Sequence, residues 1–286
     1  MASTFAPAIL RPAAHWGSRL RLWAPVDGAG FALAFCWQVL SSIPLTLRHY
    51  RAQVMVTITD MTWGRGSIIV GGGTAAVMVV MGAAVGAAVG IESFVALDQV
   101  ALGQTSGLIS AFASTRELAP IAAGVGFAAQ AGCRMTAEIG SMRISDEIDA
   151  IEAMGIRSVP FVVTTRMIAA VVSIVPTFLI ALILTYLSCN LVVTVLYGVP
   201  GGVYNHYFTQ FIVARDVVAA VLKVIVFGVA VILIHCYQGF FATGGPEGVG
   251  IASGRAIRAS LVTIIALDML MTILLWGFKS PIAFSG

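Results

Sequence analysis

Residues 167–214 read MIAAVVSIVPTFLIALILTYLSCNLVVTVLYGVPGGVYNHYFTQFIVA and contain no Asp, Glu, Lys or Arg. A helix needs about 20 apolar residues to cross a bilayer, so this stretch is too long for one crossing. The turn-forming sequence Gly198-Val-Pro-Gly-Gly-Val-Tyr-Asn205 divides it. We therefore expect a transmembrane helix from Met167 to about Leu187, followed by a loop.

The composition of the whole chain agrees with a membrane protein. Of its 286 residues, 59% are hydrophobic and only 10% are charged, and the mean hydropathy is +0.97. Soluble domains carry about a quarter charged residues. The net charge of +3 is small and gives no indication of nucleic-acid binding. Because backbone groups in hydrocarbon must be paired within the segment, we predict an all-α integral membrane protein.

Four further stretches are long enough to cross a bilayer. One of them is interrupted by Arg116 and Glu117, another contains Lys223, and the last contains Asp268. In chain order these stretches are residues 67–91, 107–133, 216–238 and 259–278. With the span that begins at Met167, they predict a five-span domain over residues 67–286.

The N-terminal segment, residues 1–66, is expected to lie in the cytoplasm and at the membrane surface. Its apolar run, residues 28–45, is shorter than a full span and has basic flanks. One interpretation is an interfacial helix with Trp16, Trp23 and Trp37 as anchors. The other interpretation is an additional span, and the sequence leaves both open.

The distribution of basic residues predicts the orientation, because cytoplasmic loops carry an excess of Lys and Arg. With the N-terminus inside, most of the arginines fall on the inner segments. Only Arg116, Arg215, Lys223 and Lys279 lie on or toward the outer side. Residues 134–166 and 239–258 are therefore predicted to be cytoplasmic.

Residues 138–157 form the densest polar patch in the sequence. Ser145 is expected to be a helix N-cap, and Gly155 is expected to end the helix. The isoleucines Ile144, Ile148 and Ile151 recur at helical spacing on one face. A short acidic helix of this kind either connects two spans or docks into a cytoplasmic partner. The candidate docking residues are Glu138, Arg143, Ser145, Asp146, Glu147, Asp149, Glu152 and Gly155.

Several short motifs resemble the MlaE/YrbE permease family, the membrane subunits of MCE-type lipid ABC transporters. The motifs are Arg116-Glu-Leu-Ala-Pro120, Ala137-Glu-Ile-Gly140, Met142-Arg143, Asp146-Glu-Ile-Asp-Ala150 and Met154-Gly155. The resemblance extends from about residue 28 to the C-terminus. It is strongest to the B-type YrbE subunits of actinobacteria, which include the mycobacteria.

The resemblance implies an interfacial N-terminal helix followed by five spans in the bacterial inner membrane. It implies a coupling helix, residues 144–154, that meets a soluble MceG-like ABC ATPase, and that ATPase would bind the ATP and Mg. It implies a lipid cavity between this chain and a second YrbE permease in a heterodimer, with MCE-domain proteins on the outer side. The lipid would be a fatty acid, mycolate-like lipid, phospholipid or sterol. No catalytic residue, metal or cofactor is expected in this chain.

Charged residues inside the predicted spans are candidate functional residues. Lys223 and Asp268 lie about 10 and 15 Å from the outer ends of their spans, so we expect them to form an ion pair. This pair has either a structural role or a role in transport. Arg116 and Glu117 either line the outer mouth of a lipid cavity, where Arg116 meets an acidic head group, or reach out to water.

Gly82, Gly86 and Gly90 repeat a spacing that allows two helices to approach closely. They are expected to form either a packing face within the chain or a contact between two permeases.

Two other functional classes are considered. An ion-coupled secondary transporter would use Lys223 and Asp268 as its relay, but an odd number of spans argues against an inverted repeat. An intramembrane enzyme is disfavoured because the four histidines lack metal-ligand spacing and no nucleophile elbow is present. The glycine-rich residues 244–254 lack a Walker lysine, so they are expected to form a tight turn and not a nucleotide site.

Overall fold

The computed structural model describes residues 24–64 and 73–277, with side chains from residue 30 onward. All regular elements in these two ranges are helices, as predicted for an all-α membrane protein. They are α1 Ala24–Ser41, α2 Ile43–His49, α3 Arg51–Trp63, α4 Thr74–Asp98, α5 Ser106–Ala113, α6 Ala119–Phe127, α7 Cys133–Ile144, α8 Glu147–Ala153, α9 Thr165–Leu191, α10 Gly201–Phe211, α11 Ala214–Phe240 and α12 Gly245–Trp276.

Four helices in the described ranges are long and apolar enough to cross a membrane. They are Thr74–Asp98, Val159–Leu196, Ala214–Phe240 and Gly245–Trp276, and they contain the described parts of the predicted first, third, fourth and fifth spans. The third extends beyond the expected Leu187 through a π-helical turn, Val192–Leu196. The anchors Trp16 and Trp23 and the expected start of the first span lie outside the described residues.

The predicted second span is part of a helical run over residues 106–144, which we call the central helix. It joins α5, α6 and α7 through two π-helical turns, Ser114–Leu118 and Ala128–Gly132. Its charged residues make it less apolar than the four helices above. It nevertheless packs against α4, α11 and α12, so neighbouring helices cover much of its surface. We therefore treat it as the second of five spans.

The glycine-rich residues 244–254 form the start of α12, so the prediction of a tight turn is wrong beyond its first two residues. Gly244, the N-cap, and Gly245, the first residue of the helix, have positive φ angles of 94° and 68°. Pro246 stands in the first helical turn, where its missing N–H has no cost. Gly248 and Ala252 lie buried on one face, which explains why small residues are accepted there.

The N-terminal helices α1 and α2 are bent by 41° between Gly30–Ser41 and Ile43–His49. Together they are long and apolar enough to form one broken span or a re-entrant segment. Trp37 is exposed on α1.

The five spans alternate in direction, which gives the bundle two distinct ends. The α8 end contains α8, the start of α9 and the α11–α12 connection. The α10 end contains α10, the short helix Gly103–Thr105 and the last residue of α12, Trp276.

The glycine stripe of α4 packs closely against α9 of the same chain. A Cβ atom added at Gly82 or Gly86 would overlap the backbone of Ala181 or Thr185. Thr185 Oγ1 also donates a hydrogen bond of 3.1 Å to the carbonyl oxygen of Gly82. This face is covered within the chain, so the interpretation of the stripe as a contact between two permeases is wrong.

We predict that Gly86→Ala destabilises the protein by about 1–3 kcal/mol, because the added methyl group meets backbone that cannot rotate away. Thermal unfolding in mild detergent measures this loss. Gly254→Ala is the matched control, since nothing lies within 4 Å of a Cβ atom there. Equal melting temperatures for the two variants would contradict the proposed close contact.

Candidate functional site

Five charged side chains meet inside the bundle, nearer the α10 end, and we call them the charge cluster. The central helix contributes Arg116 and Glu117, α11 contributes Asp216 and Lys223, and α12 contributes Asp268. Arg116 and Glu117 lie in the π-helical turn Ser114–Leu118. A π turn holds one residue more than an α turn and is frequent at functional sites.

Lys223 is the centre of the cluster and its side chain is 0% exposed. Its Nζ atom donates to the carbonyl oxygen of Arg116 at 2.8 Å, to Thr272 Oγ1 at 2.8 Å and to Glu117 Oε2 at 3.2 Å. It also lies 2.7 Å from Asp268 Oδ1, which confirms the predicted ion pair. An isolated charge at this depth is costly, and these contacts compensate for the lost water.

Thr272 links Lys223 to Glu117 and to the backbone of Asp268. It lies one turn after Asp268 on α12 and bonds to the Asp268 carbonyl oxygen at 2.9 Å and to Glu117 Oε1 at 2.8 Å. The sequence analysis missed Thr272, although its spacing of four residues from Asp268 places both on one helix face. The side chain of Glu117 is 34% exposed, more than those of Lys223 and Asp268.

Arg116 is held by a second set of partners. Its Nη2 and Nε atoms lie 2.6 and 2.7 Å from Asp216 Oδ2. Its guanidinium carbon lies 4.2 Å from the centre of the Phe112 ring and 4.9 Å from that of Trp276, within the range of cation–π attraction. The side chain is 12% exposed, so the interpretation of Arg116 as an arginine reaching out to water is wrong.

The sequence analysis also missed Asp216 and Trp276. Trp276 Nε1 donates a hydrogen bond of 2.9 Å to Asp216 Oδ1, so both carboxylate oxygens of Asp216 are bonded. Asp216 lies in the first turn of α11, where an acidic residue is typical of any helix start. Because an acidic residue is common at this position, the sequence does not indicate that Asp216 pairs with Arg116.

A second group of charges lies toward the α8 end. Arg134 on α7 contacts Asp60 on α3 at 2.6 Å and Glu138 at 2.8 Å, and Glu138 also lies 3.5 Å from Arg166 at the start of α9. Glu138 was predicted to contact an ATPase. The structure places it in this internal network, which ties the central helix to α3 and α9.

The predicted coupling helix is present as α8, directly after the central helix. Its start differs from the prediction: Ser145 is the C-cap of α7, and Asp146 takes the N-cap position of α8 with a positive φ of 58°. Ser145 is not the N-cap because its Oγ atom bonds back to the carbonyl oxygen of Ser141 at 2.9 Å. Ile148 is buried and anchors α8 to the bundle, whereas Ile144 is exposed.

The end of α8 agrees with the prediction. Gly155 has a φ of 79°, and its N–H donates to the carbonyl oxygen of Glu152 at 2.9 Å. The N–H of Ile156 donates to the carbonyl oxygen of Ile151 at 3.2 Å. This pair of bonds is a Schellman motif. Glu152 turns inward and accepts a hydrogen bond from Ser158.

The outward face of α8 is acidic. Asp146, Glu147 and Asp149 are exposed, and Arg143 Nη1 lies 2.7 Å from Asp149 Oδ1. Such an exposed pair contributes little stability, so Asp149 is available to a partner. Within the described residues, no group of His, Cys, Asp or Glu side chains is arranged to hold a metal ion.

We predict that Lys223→Met lowers the free energy of unfolding by about 3–5 kcal/mol, because two carboxylates lose their buried partner. The double variant with Asp268→Asn should recover part of this loss. Thermal or denaturant unfolding in detergent measures both effects. Arg215→Met is the control, since Arg215 precedes Asp216 on α11 and is exposed. A double variant that is no more stable than Lys223→Met would contradict the coupling.

Comparison with known proteins identifies the family. The profile of the family described as Permease MlaE matches residues 64–274. A probable ABC transporter permease protein of Rickettsia bellii is 27% identical over 187 residues, which cover 65% of this chain and 72% of that protein. The intermembrane phospholipid transport system permease protein MlaE of Haemophilus influenzae is 24% identical over 202 residues, which cover 70% and 77%.

A relative also occurs in a plant. The chloroplastic protein TRIGALACTOSYLDIACYLGLYCEROL 1 of Arabidopsis thaliana is 28% identical over 188 residues, which cover 66% of this chain and 54% of that protein. The family profile covers most of the described residues, including the charge cluster and α8. This chain therefore belongs to the MlaE permease family of ABC transporter membrane proteins, and it is a multi-pass inner-membrane protein.

Proposed function

We propose that this chain is the permease subunit of an MCE-associated ABC transporter that moves lipids across the cell envelope. A separate ATPase drives it and binds the ATP and Mg. The observation that carries the proposal is the central helix, which joins Arg116 and Glu117 inside the membrane to the exposed acidic helix α8. A movement imposed on α8 is thereby passed along one continuous element to the charge cluster.

The α8 end faces the cytoplasm in this proposal. Among the described residues, the arginines concentrate at that end, whereas Arg116, Arg215 and Lys223 lie toward the other end. The residues at the α8 end are Arg48, Arg51, Arg134, Arg143, Arg157, Arg166, Arg255 and Arg258. The excess of basic residues on the inner side of membrane proteins supports this orientation and a cytoplasmic N-terminus.

The partner at α8 is a soluble, MceG-like ABC ATPase. Asp146, Glu147 and Asp149 present negative charge to it, and Met154 adds an exposed apolar side chain. Ile148 is buried against the bundle and α8 follows α7 directly, so a push on the outer face of α8 moves the end of α7 as well. A basic surface on the ATPase is expected to meet this face.

The substrate is a lipid and the assembly contains a second permease. The α10 end, where Glu117 is partly exposed, faces the MCE-domain proteins on the outer side. Val262, Ile265 and Met269 are exposed along α12 and form an apolar face for lipid or for the second YrbE-type permease. The phospholipid named for the Haemophilus relative is one candidate substrate; a fatty acid, a mycolate-like lipid or a sterol is another.

We predict that Asp146→Lys combined with Glu147→Lys lowers the recovery of the ATPase with the tagged permease by at least about tenfold, because like charges then meet at the interface. Quantitative mass spectrometry of the detergent-purified complex measures this recovery. Asp98→Lys is the control, since Asp98 is exposed at the α10 end. Unchanged recovery with the double variant would remove α8 as the coupling element.

The alternative function is an ion-coupled secondary transporter, which the buried charges of Lys223 and Asp268 favour. The two functions differ in their energy source. Proteoliposomes that contain the complete complex should move a fluorescent lipid with ATP and no ion gradient. Lipid movement that requires a proton or sodium gradient and proceeds without ATP would support the alternative instead.

A further inference from the structure

Arg116 already holds an anion, and this anion belongs to the protein itself. Asp216 Oδ2 receives two N–H groups of the guanidinium, and Asp216 Oδ1 receives the indole N–H of Trp276. Three donors therefore converge on one carboxylate, and the guanidinium itself lies against the rings of Phe112 and Trp276. The guanidinium N–H groups would bind a carboxylate or phosphate oxygen of a ligand in the same way.

Two features separate this pair from the group around Lys223. Lys223 is fully enclosed, and its ammonium group contacts side chains on both the central helix and α12. Asp216 instead lies in the first turn of α11, directly after Val213, Ala214 and Arg215, which are exposed. Rotation of the Asp216 side chain toward this end of the helix would bring its carboxylate to water without unfolding α11.

An exchange of anions at Arg116 would conserve the charge of the site. If a ligand with one negative charge replaces Asp216, Arg116 keeps a counter-ion and Asp216 becomes hydrated. A neutral head group that displaced Asp216 would leave the buried guanidinium of Arg116 without a counter-ion, which is costly in a low dielectric. The pair thus favours a singly anionic head group and blocks neutral ones.

We propose that Asp216 is an internal competitor for Arg116, which an anionic lipid head group must displace, and that it thereby determines which head groups the permease accepts. The shared chemistry is a carboxylate or phosphate oxygen. This inference rests on the proposed lipid function and goes beyond it, because it assigns the selectivity to an aspartate and a tryptophan at the end of the bundle.

Binding to the purified complex in nanodiscs tests the inference. The probes are dioleoyl phosphatidic acid, palmitate, dioleoylglycerol as the neutral match, and inorganic phosphate. Asp216→Asn keeps the size of the side chain and removes its charge. We expect both anionic lipids to bind about tenfold more tightly. This gain corresponds to an Asp216 carboxylate that leaves Arg116 open in about a tenth of the molecules, because the apparent affinity is reduced by the open fraction. Dioleoylglycerol should bind as before.

Three further variants make the result decisive. Trp276→Phe keeps the ring and removes one donor to Asp216, so it should tighten anionic lipid binding by a smaller factor, about two- to threefold. The Trp276→Phe variant also tests the inference in the case that the Asp216→Asn variant does not fold. Asp98→Asn, an exposed carboxylate at the same end, should change nothing. Arg116→Gln should abolish the preference for anionic lipids.

The outcomes separate the inference from the function on which it rests. If Arg116→Gln loses anionic binding while Asp216→Asn and Trp276→Phe bind as the natural protein does, the competition is overturned and the head-group role of Arg116 stands. If Arg116→Gln binds all lipids unchanged, the head-group role itself fails. A gain for inorganic phosphate alone would also overturn the inference, because the site would then be an anion site without access to lipid.

Discussion

The need to pair charges inside hydrocarbon governs the arrangement of this bundle. Lys223 is fully buried, and its partners come from the central helix and from α12. The ammonium group reaches all of these partners only if each helix has one particular depth in the membrane and one particular rotation about its own axis. The pair of Arg116 and Asp216 adds a second connection between the central helix and α11. Helix packing alone specifies such a register poorly, because apolar side chains slide past one another at little cost.

The central helix is the element on which both charged groups depend. Arg116 and Glu117 lie near one end, and Arg134 and Glu138 lie near the other, where they contact α3 and α9. The two π-helical turns lie close to these groups, at residues 114–118 and 128–132. A π turn alters the rotation of all residues beyond it, so it is a place where one half of a helix can turn relative to the other.

The remaining spans divide into a close pair and an open helix. The glycines of α4 bring its backbone against α9, and hydroxyl groups such as Thr185 and Ser188 bond across this contact. In contrast, much of α12 is exposed, and its covered positions are mostly small residues and Asp268. In a working transporter, the α4–α9 pair is suited to act as a rigid unit, while α12 presents the surface that meets lipid or another subunit.

The sequence alone determined the class of the protein, most of its spans and the acidic helix, because hydropathy and cap residues such as Gly155 act over a few residues. It also indicated the pairing of Lys223 with Asp268, since two opposite buried charges at similar depth have few other partners. Only the tertiary structure decided that Arg116 is bound by Asp216 and Trp276, and that Glu138 serves an internal network. These contacts join residues far apart in the chain, and the rotation of each helix that creates them is set by packing among all five spans.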